Sequence, residues 1–225
     1  MSWSDLADWW LGEIGDDPAY ETVVKPLLLG ILDPVQGARY IDLGSGEGRI
    51  MKAVASRGAS VQGVELNKTL ARKSHGQSIV ARLPRIPIRD DSYDGGYAVL
   101  VIEHLPDHQA FFSETARVVR SGGVLAVVAN HPVWTAPESS PISDGDGEAL
   151  WRPGDYFSAD STEVAAETTA GEGIVTFYHR SMGALLNAAA DAGWSLDHMI
   201  EQPHHELDDQ VGIPRLLACR WRLLP

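Results

Sequence analysis

The sequence is poor in cysteine, in long apolar runs and in basic residues, and each shortage excludes a class of protein. Its one cysteine, Cys219, leaves no internal disulfide and no cysteine-rich metal site. No apolar run approaches the about 18 residues that a membrane-spanning helix requires. Lysine and arginine number 18 against 31 aspartates and glutamates, for a formal net charge of −13. This charge disfavours binding to a nucleic acid, whose phosphates attract clustered basic residues.

What remains is the composition of an ordinary globular protein, with 44% hydrophobic and 22% charged residues. A chain of 225 residues can bury a core as one domain, so we expect a single domain over residues 1–225. Its first residues, MSWSDLADWW, lack the basic and apolar segments of a signal peptide, which predicts a cytoplasmic location. We expect a monomer or a homodimer that has neither a membrane nor a nucleic acid as partner.

Strand and helix patterns alternate along most of the chain, which predicts an α/β fold with a mainly parallel sheet. The last two predicted strands are separated by a polar segment, Pro203–Ile213, and are expected to pair antiparallel. In chain order, the predicted elements are helix 20–32, strand 39–43, helix 48–57, strand 60–65, helix 68–75, strand 94–102, helix 109–119, strand 124–129, helix 181–192, and strands 194–201 and 215–224.

The alternation stops in a segment rich in proline, glycine, serine and acids, with scattered aromatic residues. Residues 135–175 hold nine acids against one base, Arg152. A segment of this length without periodicity is typical of a lid or a binding insertion. We therefore expect a lid-like insertion over residues 131–180, whose acids either form a solvated surface or attract a cationic ligand.

A glycine-rich turn, Gly44–Gly48, follows the strand 39–43. Its glycines permit a sharp turn and a close approach of backbone N–H groups to a ligand. The spacing G-x-G-x-G differs from the dinucleotide fingerprint G-x-G-x-x-G. Asp42 and Glu47 would repel a pyrophosphate but suit an ammonium or a sulfonium. Glu65 ends the next strand, where an acid can accept hydrogen bonds from ribose hydroxyls. S-adenosylmethionine, a nucleoside with a cationic tail and no phosphate, fits this site.

Four stretches together resemble class I S-adenosylmethionine-dependent methyltransferases of the small-molecule type. They occur in that family's order and spacing, and they read YIDLGSGEGR, VQGVELN, IPIRDDSYDGGYAVLVIEHLPD and ARVVRSGGVLAVVANHP. The resemblance implies a doubly wound, Rossmann-like, mainly parallel seven-stranded sheet with the last strand antiparallel and an insertion after strand five. It implies S-adenosylmethionine as cofactor and a small-molecule methyl acceptor, with oxygen or nitrogen favoured over carbon as the acceptor atom.

The resemblance also assigns roles to individual residues. Asp42 would anchor the methionine ammonium group, Glu65 would bind the ribose, and Leu66 would pack against the adenine. An N-terminal cap over residues 1–19, with the aromatic stripe of Trp3, Trp9 and Trp10, would close over the cofactor. The residues predicted to bind the cofactor are Tyr20, Asp42, Gly44, Ser45, Gly46, Gly48, Glu65, Leu66, Leu83 and Val99.

One position departs from the family's pattern. The family often has an acid, which contacts the adenine amino group, about four residues before the step that is Ile86-Pro87-Ile88 here. That position is Arg82 in this chain. The adenine contact must then be made in another way, for example by the backbone near Leu83.

The candidates for catalysis lie after strand ends and before the last helix. Methyl transfer requires alignment of the acceptor and exclusion of water, and an oxygen or nitrogen acceptor often needs a base. His104, His131 and His179 are the candidate catalytic residues, although each could serve structure alone. His131 and His179 also match a looser pattern of a small-molecule subgroup. The residues predicted to bind the acceptor are Trp134, Tyr156, Tyr178 and Arg180.

Three further interpretations are a metal site, a non-catalytic nucleoside-binding module and an oxidoreductase. The adjacent His204 and His205 lie in a polar loop that rarely forms a metal site, so no metal is expected. A non-catalytic, methyltransferase-like module that binds the nucleoside stays open because of Arg82. An NAD(P)-dependent oxidoreductase is disfavoured by the glycine spacing and the acids of the turn. The sequence does not identify the acceptor, because this fold serves many.

Overall fold

The structure is a computed structural model of the 225-residue chain. It describes residue 6 and residues 9–12, 17–74, 77–143, 149–168, 171–203 and 212–225. Trp3 and the loop that contains His204 and His205 lie outside the described residues.

A seven-stranded sheet forms the centre of the molecule, with strand order β10-β11-β5-β4-β1-β2-β3. In chain order the strands are β1 (Arg39–Leu43), β2 (Ser60–Glu65), β3 (Ser78–Val80), β4 (Tyr93–Val99), β5 (Val119–Asn130), β6 (Ser140–Ser143), β7 (Ala149–Arg152), β8 (Ser161–Thr168), β9 (Gly171–Tyr178), β10 (Trp194–Pro203) and β11 (Pro214–Leu223). The five strands β3, β2, β1, β4 and β5, in their order across the sheet, pair in parallel. Strand β11 is antiparallel to both of its neighbours, β5 and β10. The predicted fold class is therefore confirmed.

Helices cover both faces of this sheet, and polar side chains fix where several of them begin. In chain order they are α1 (Lys25–Leu32), α2 (Arg49–Ala55), α3 (Lys68–Lys73), α4 (His108–Val118), α5 (Pro132–Thr135) and α6 (Met182–Asp191). Asn67 caps α3 by accepting from two backbone N–H groups, while Asp107 and Ser181 cap α4 and α6 by accepting from one each. The predicted helix 20–32 begins with a π-helical turn, Tyr20–Val24, that leads into α1.

Two apolar layers enclose the sheet. Phe111 and Phe112 of α4 pack with Trp221 on one face, and Leu28 of α1 packs with Tyr97 on the other. Because β1 and β4 are covered on both faces, they are almost continuously buried. This explains why the sequence shows them as apolar runs rather than as alternating patterns.

The insertion after β5 contains more regular structure than the sequence predicts. It holds α5 and two antiparallel hairpins, in which β6 pairs with β7 and β8 pairs with β9. Residues 161–165 of β8 are all exposed, so their sequence lacks the alternation of a half-buried strand. The second hairpin is anchored by Ala166 and Val175, which pack against Leu6 from the N-terminal segment. The role of residues 131–180 as a lid stays a prediction.

Two glycines offer a matched test of this packing. A Cβ atom at Gly95 in β4 would lie 2.8 Å from the backbone oxygen of Val124 and 2.8 Å from Tyr40, whereas a Cβ atom at Gly30 in α1 would meet nothing within 4 Å. We expect Gly95→Ala to lower the free energy of unfolding by about 1–3 kcal/mol. Gly30→Ala should raise it by about 0.5–1 kcal/mol, because alanine is the better helix former. Urea unfolding of both variants measures these changes, and equal effects would contradict the described packing.

Candidate active site

A cavity of about 1100 Å³, including its open mouth, lies at the carboxyl ends of β1, β2 and β4. Most residues predicted to bind the cofactor meet there: the wall includes Tyr20, Asp42, Gly44, Ser45, Gly46, Glu65, Leu66, Leu83 and Val99. Gly48 is not part of the wall and instead caps the start of α2 with a φ of 85°. Chain topology thus brings together residues that are up to 79 positions apart in the sequence.

The glycine turn is tied to β2 by backbone hydrogen bonds. The N–H groups of Gly44 and Ser45 both donate to the carbonyl oxygen of Val64, over 2.8 and 3.0 Å. Gly44 has a φ of 88°, and a Cβ atom there would lie 2.5 Å from Cγ2 of Val101. Glycine is therefore required at this position by both the backbone conformation and the space.

Glu65 is held in place by the same turn. Its Oε2 accepts from the N–H of Gly46 over 2.9 Å, and its Oε1 accepts from the N–H of Asn67 over 2.7 Å. Burial raises the pKa of Glu65, and these hydrogen bonds oppose the shift. Each carboxylate oxygen can accept one more hydrogen bond, so the group is oriented to receive a pair of hydroxyls such as those of a ribose.

Asp42 is a buried carboxylate without a full set of partners. Burial raises its pKa to about 8, the neighbouring Tyr97 hydroxyl opposes this shift, and the charges of Glu65 and Glu47 add to it. Although Tyr97 lies beside Asp42, the Oδ2 atom of Asp42 and the Tyr97 hydroxyl are buried without a hydrogen bond of regular geometry in the described part of the chain. Buried polar groups normally have partners. A cationic group of a ligand in the cavity would supply one, which is the arrangement that S-adenosylmethionine requires.

The wall also includes Trp10, Tyr20, Arg49 and, from the 3₁₀ turn Ile102–His104, the residue His104. The Arg49 guanidinium pairs with Glu47 over 3.1 Å and lies 5.4 Å from the centre of the Tyr20 ring. Burial, and then the nearby charges of Asp42 and Glu47, raise the pKa of Tyr20, which keeps its hydroxyl protonated at neutral pH.

His104 lies in the wall of the cavity and is held there by the second hairpin of the insertion. Its Nδ1 lies 3.0 Å from the carbonyl oxygen of Thr176, and its ring contacts Phe177 with the centroids 4.6 Å apart. A carbonyl oxygen only accepts hydrogen bonds, so Nδ1 of His104 is the donor in this contact. A histidine held in this way can accept a proton only at Nε2.

His131 and His179 are buried and hydrogen-bonded within the fold. Nδ1 of His131 accepts from the N–H of Val133 over 3.2 Å, and its Nε2 lies 2.9 Å from Oε1 of Glu201. Burial lowers the pKa of His131. His179 donates from Nε2 to the carbonyl oxygen of Tyr156 over 2.9 Å, and its Nδ1 meets the hydroxyl of Thr135. Neither ring belongs to the wall of the cavity, and their catalytic assignment stays a prediction.

The four residues predicted to bind the acceptor, Trp134, Tyr156, Tyr178 and Arg180, are also not part of this wall. Trp134 packs on Trp151, with ring centroids 4.1 Å apart. The Tyr156 hydroxyl accepts from the N–H of Met182 at the start of α6. Arg180 donates to the carbonyl oxygens of Ile102, Leu105 and Tyr178, so it supports the 3₁₀ turn from behind. Their substrate-binding roles stay predictions.

Several wall residues were not predicted from the sequence, namely Arg49, Ile50, Val64, Leu70, Ala81, Leu100, Val101, Leu105 and Pro106. Most of them lie inside or beside the four stretches that carry the resemblance. Their position in those stretches is the feature of the sequence from which they could have been predicted. Leu100 has a φ of 54°, an unusual conformation for a residue with a branched side chain. The strain lies directly beside the site, as is common where function constrains the backbone.

Comparison with known proteins was made at the levels of domain, sequence and fold. The family model described as "Methyltransferase domain" matches residues 41–127. A ubiquinone biosynthesis O-methyltransferase of Paracidovorax citrulli is 32% identical over 135 residues, which are 53% of this chain and 56% of that protein. An uncharacterized methyltransferase of Mycobacterium sp. (strain JLS) is 31% identical over 132 residues, 56% and 51% of the two chains. The chain spans about half the length of the curated relatives it matches.

A solved structure has the same fold over nearly its whole length. The S-adenosylmethionine-dependent methyltransferase from Mesorhizobium loti matches with a TM-score of 0.77 and 24% identity, covering 90% of this chain and 99% of that one. The family match over residues 41–127 and this shared fold agree with the resemblance to class I S-adenosylmethionine-dependent methyltransferases. No helix in the described ranges is long and apolar enough to span a membrane.

The raised pKa of Asp42 makes the stability of the ligand-free domain depend on pH. Between about pH 4 and pH 8 the carboxyl is ionised in the unfolded chain but protonated in the fold, so the free energy of unfolding falls as pH rises. Asp42→Asn removes this penalty. We expect its melting temperature to exceed that of the wild type by an amount that grows from pH 5 to pH 8. The difference between the two free energies of unfolding should grow by up to about 1.4 kcal/mol per pH unit.

The control is Asp191→Asn, which changes the same charge at the exposed end of α6. Its effect on the melting temperature should not grow with pH. Asp42→Asn should also weaken S-adenosylmethionine binding by about tenfold or more, because a charge-assisted contact to the ammonium is lost. A pH-independent difference between Asp42→Asn and the wild type would contradict the burial of an ionisable group at this position.

Proposed function

We propose that this chain is an enzyme that transfers the methyl group of S-adenosylmethionine to a hydroxyl oxygen of a small, largely apolar acceptor. The observation that carries the proposal is a cavity in which His104 shares one wall with the carboxylates of Asp42 and Glu65. When bound, S-adenosylmethionine supplies an electrophilic methyl group on its sulfonium sulfur.

The cofactor would be held by groups that the fold already positions. Glu65, fixed by the N–H groups of Gly46 and Asn67, would accept from the ribose hydroxyls. Asp42 would hold the ammonium group and become ionised as it does so. Gly44 and Gly46 let the turn pass close beneath the ligand. The three carboxylates in the wall, Asp42, Glu47 and Glu65, favour a ligand with net positive charge.

The acceptor would occupy the end of the cavity beyond these groups. Leu100, Leu105 and Pro106 line it together with the rings of Trp10 and Tyr20, and such a wall excludes water and fits an apolar or aromatic molecule. The curated relative from Paracidovorax citrulli is named as an O-methyltransferase, which supports oxygen as the acceptor atom. The net charge of −13 supports a small molecule rather than a nucleic acid.

His104 would take the proton that a hydroxyl acceptor loses as its oxygen attacks. The hydrogen bond from Nδ1 to the carbonyl oxygen of Thr176 fixes the tautomer in which Nε2 is the base, and the contact with Phe177 fixes the plane of the ring. The chain's own contribution would then be threefold, namely alignment of the acceptor, exclusion of water and removal of one proton.

Binding and turnover measurements distinguish this proposal from the other interpretations. Calorimetry with S-adenosylmethionine, its demethylated product and NADH should show binding of the first two only. Labelled methyl transfer should then be found with phenols in a screen that also contains carboxylic acids and amines. Absence of binding to both nucleosides would contradict the proposal. Binding without transfer to any acceptor would favour the non-catalytic module, and NADH binding would favour the oxidoreductase.

Substitution of His104 tests its role as a base. We expect His104→Gln to lower turnover of a weakly acidic phenol by about 10²- to 10⁴-fold. Turnover of an acidic phenol that is already ionised at the assay pH should fall much less, because no proton has to be removed. A purely structural role would lower both rates equally, which would contradict the assignment. His198→Gln, at an exposed position of β10, is the matched control and should leave both rates unchanged.

The same series separates His104 from the other two histidines. His131→Gln and His179→Gln each disturb two hydrogen bonds of a buried ring. We expect both to lower the melting temperature, by a loss of about 1–3 kcal/mol in the free energy of unfolding. A loss of turnover with an unchanged melting temperature in either variant would instead support the catalytic role predicted for it from the sequence.

A further inference from the structure

The 3₁₀ turn Ile102–His104, which carries the proposed base, is too short to fix its own orientation. The N–H of His104 donates to the carbonyl oxygen of Val101 over 2.9 Å, and the N–H of Leu105 donates to that of Ile102 over 3.2 Å. The hydrogen-bond geometry of 3₁₀ turns is poor, so a single turn depends on contacts with neighbouring elements. Such contacts must decide how the His104 ring is placed.

Glu103 makes such a contact. Its side chain is 4% exposed and does not line the cavity, whereas its neighbour His104 lies in the wall. Its Oε1 accepts from the backbone N–H of Asn130 over 3.2 Å and from Nδ2 of the same residue over 2.7 Å. Its Oε2 has no hydrogen-bond partner among the described residues, so the bonds of Oε1 alone hold the carboxylate. Because Asn130 ends β5, Glu103 fastens the turn after β4 to the end of the neighbouring strand.

The same carboxylate balances the charges of two guanidinium groups. Arg180 donates to two carbonyl oxygens in and beside the turn, and Arg215 donates to Oδ1 of Asn130. Burial lowers the pKa of both arginines, and the negative charge of Glu103 opposes the two shifts. Removing one charge from a buried group of this kind destabilises a fold, because the remaining charges lose their counter-charge. The charge of Glu103 thus contributes to stability, while its bonds to Asn130 set the position of the turn.

We infer that Glu103 is a positioning residue for His104, whose bonds to Asn130 keep the turn where Nδ1 of His104 meets the carbonyl oxygen of Thr176. Thr176 lies on β9 of the insertion, so the ring is aligned only when the turn and this hairpin are correctly placed. The inference rests on the proposed function, since it takes His104 as the base. Glu103 does not line the cavity, so it affects the reaction through the placement of the His104 ring.

NMR of the histidine rings tests this placement without turnover. In long-range proton–nitrogen spectra at a pH where the rings are neutral, the signal of His104 is identified by its loss in His104→Gln. We expect the wild type to show the tautomer with the proton on Nδ1, and Glu103→Ala to show a mixture of both tautomers. Glu103→Gln keeps an oxygen that can accept from Asn130, so it should keep the wild-type tautomer although its melting temperature falls. A wild-type tautomer in Glu103→Ala would overturn the inference.

Turnover gives a second readout. Misplacement of a catalytic group by about 1 Å can cost about 10²-fold in rate, so Glu103→Ala should lower turnover of a weakly acidic phenol by about 10- to 10²-fold. Turnover of a phenol that is already ionised should fall much less, because no proton has to be removed. Glu103→Gln should have rates close to those of the wild type with both phenols. Equal losses with the two phenols in Glu103→Ala would count against a positioning role.

Tyr93→Phe is the matched control. Tyr93 begins β4, at the other end of the strand from Glu103, and its hydroxyl donates to Gln62. This variant should lower the melting temperature and leave the tautomer and the ratio of the two rates unchanged. A change of tautomer or ratio as large as that of Glu103→Ala would show a general effect of lost stability and overturn the inference.

Asn130→Ala keeps the test valid if Glu103→Ala does not fold. It removes the 2.7 Å bond from the other side, so it should shift the tautomer and the ratio of rates in the same direction as Glu103→Ala. Wild-type values in this variant would contradict the inference. A wild type that binds S-adenosylmethionine but methylates no phenol would instead contradict the proposed function, and the NMR comparison would still decide whether Glu103 places the ring.

Discussion

The cavity depends on one buried ionisable group, Asp42, which is the last residue but one of the central strand β1, the strand that directly precedes the glycine turn. Burial raises the pKa of this carboxyl to about 8, so its ionised form is costly until a cation lies beside it. Glu65 and Glu47 add negative charge to the same small volume. In the ligand-free fold the negative charges of this cavity are therefore unbalanced. A positive charge on a ligand would lower the cost of ionising Asp42 most.

The cavity wall around His104 obeys a different constraint, since residues of the insertion hold the 3₁₀ turn that carries this histidine. Arg180 donates to the carbonyl oxygens of Ile102 and Leu105 on either side of His104, while Thr176 holds the histidine ring itself. Thr176 and Arg180 of the insertion thus hold residues of the cavity wall in place without lining the cavity themselves. His131 and His179 make similar structural contacts near the end of β5. His131, directly after β5, bonds to Glu201 of β10, and His179 bonds to Thr135 of α5.

The parts of this structure that were predictable from the sequence are those in which local residues decide the conformation. The bounds of β1 and β2 were predicted to the residue, because each is a short strand-forming segment that stops at a turn or a cap. The glycine turn and Glu65 were predictable for the same reason. The hairpin of β8 and β9 was not, because a two-stranded ribbon with exposed residues carries no alternating pattern. The direction of the His131 ring depends on Glu201, which lies 70 residues away.

The sheet also decides which parts of the site can vary at little cost to folding. Asp42 lies on a strand that is paired on both sides and packed on both faces, so most changes there disturb the core as well as the ligand. Arg82 follows β3, an edge strand of three residues, and its side chain is exposed. A change at this position alters the cavity wall without creating a void in the core or burying a charge. The wall at this edge can therefore vary independently of the buried carboxylate of Asp42, at little cost to folding.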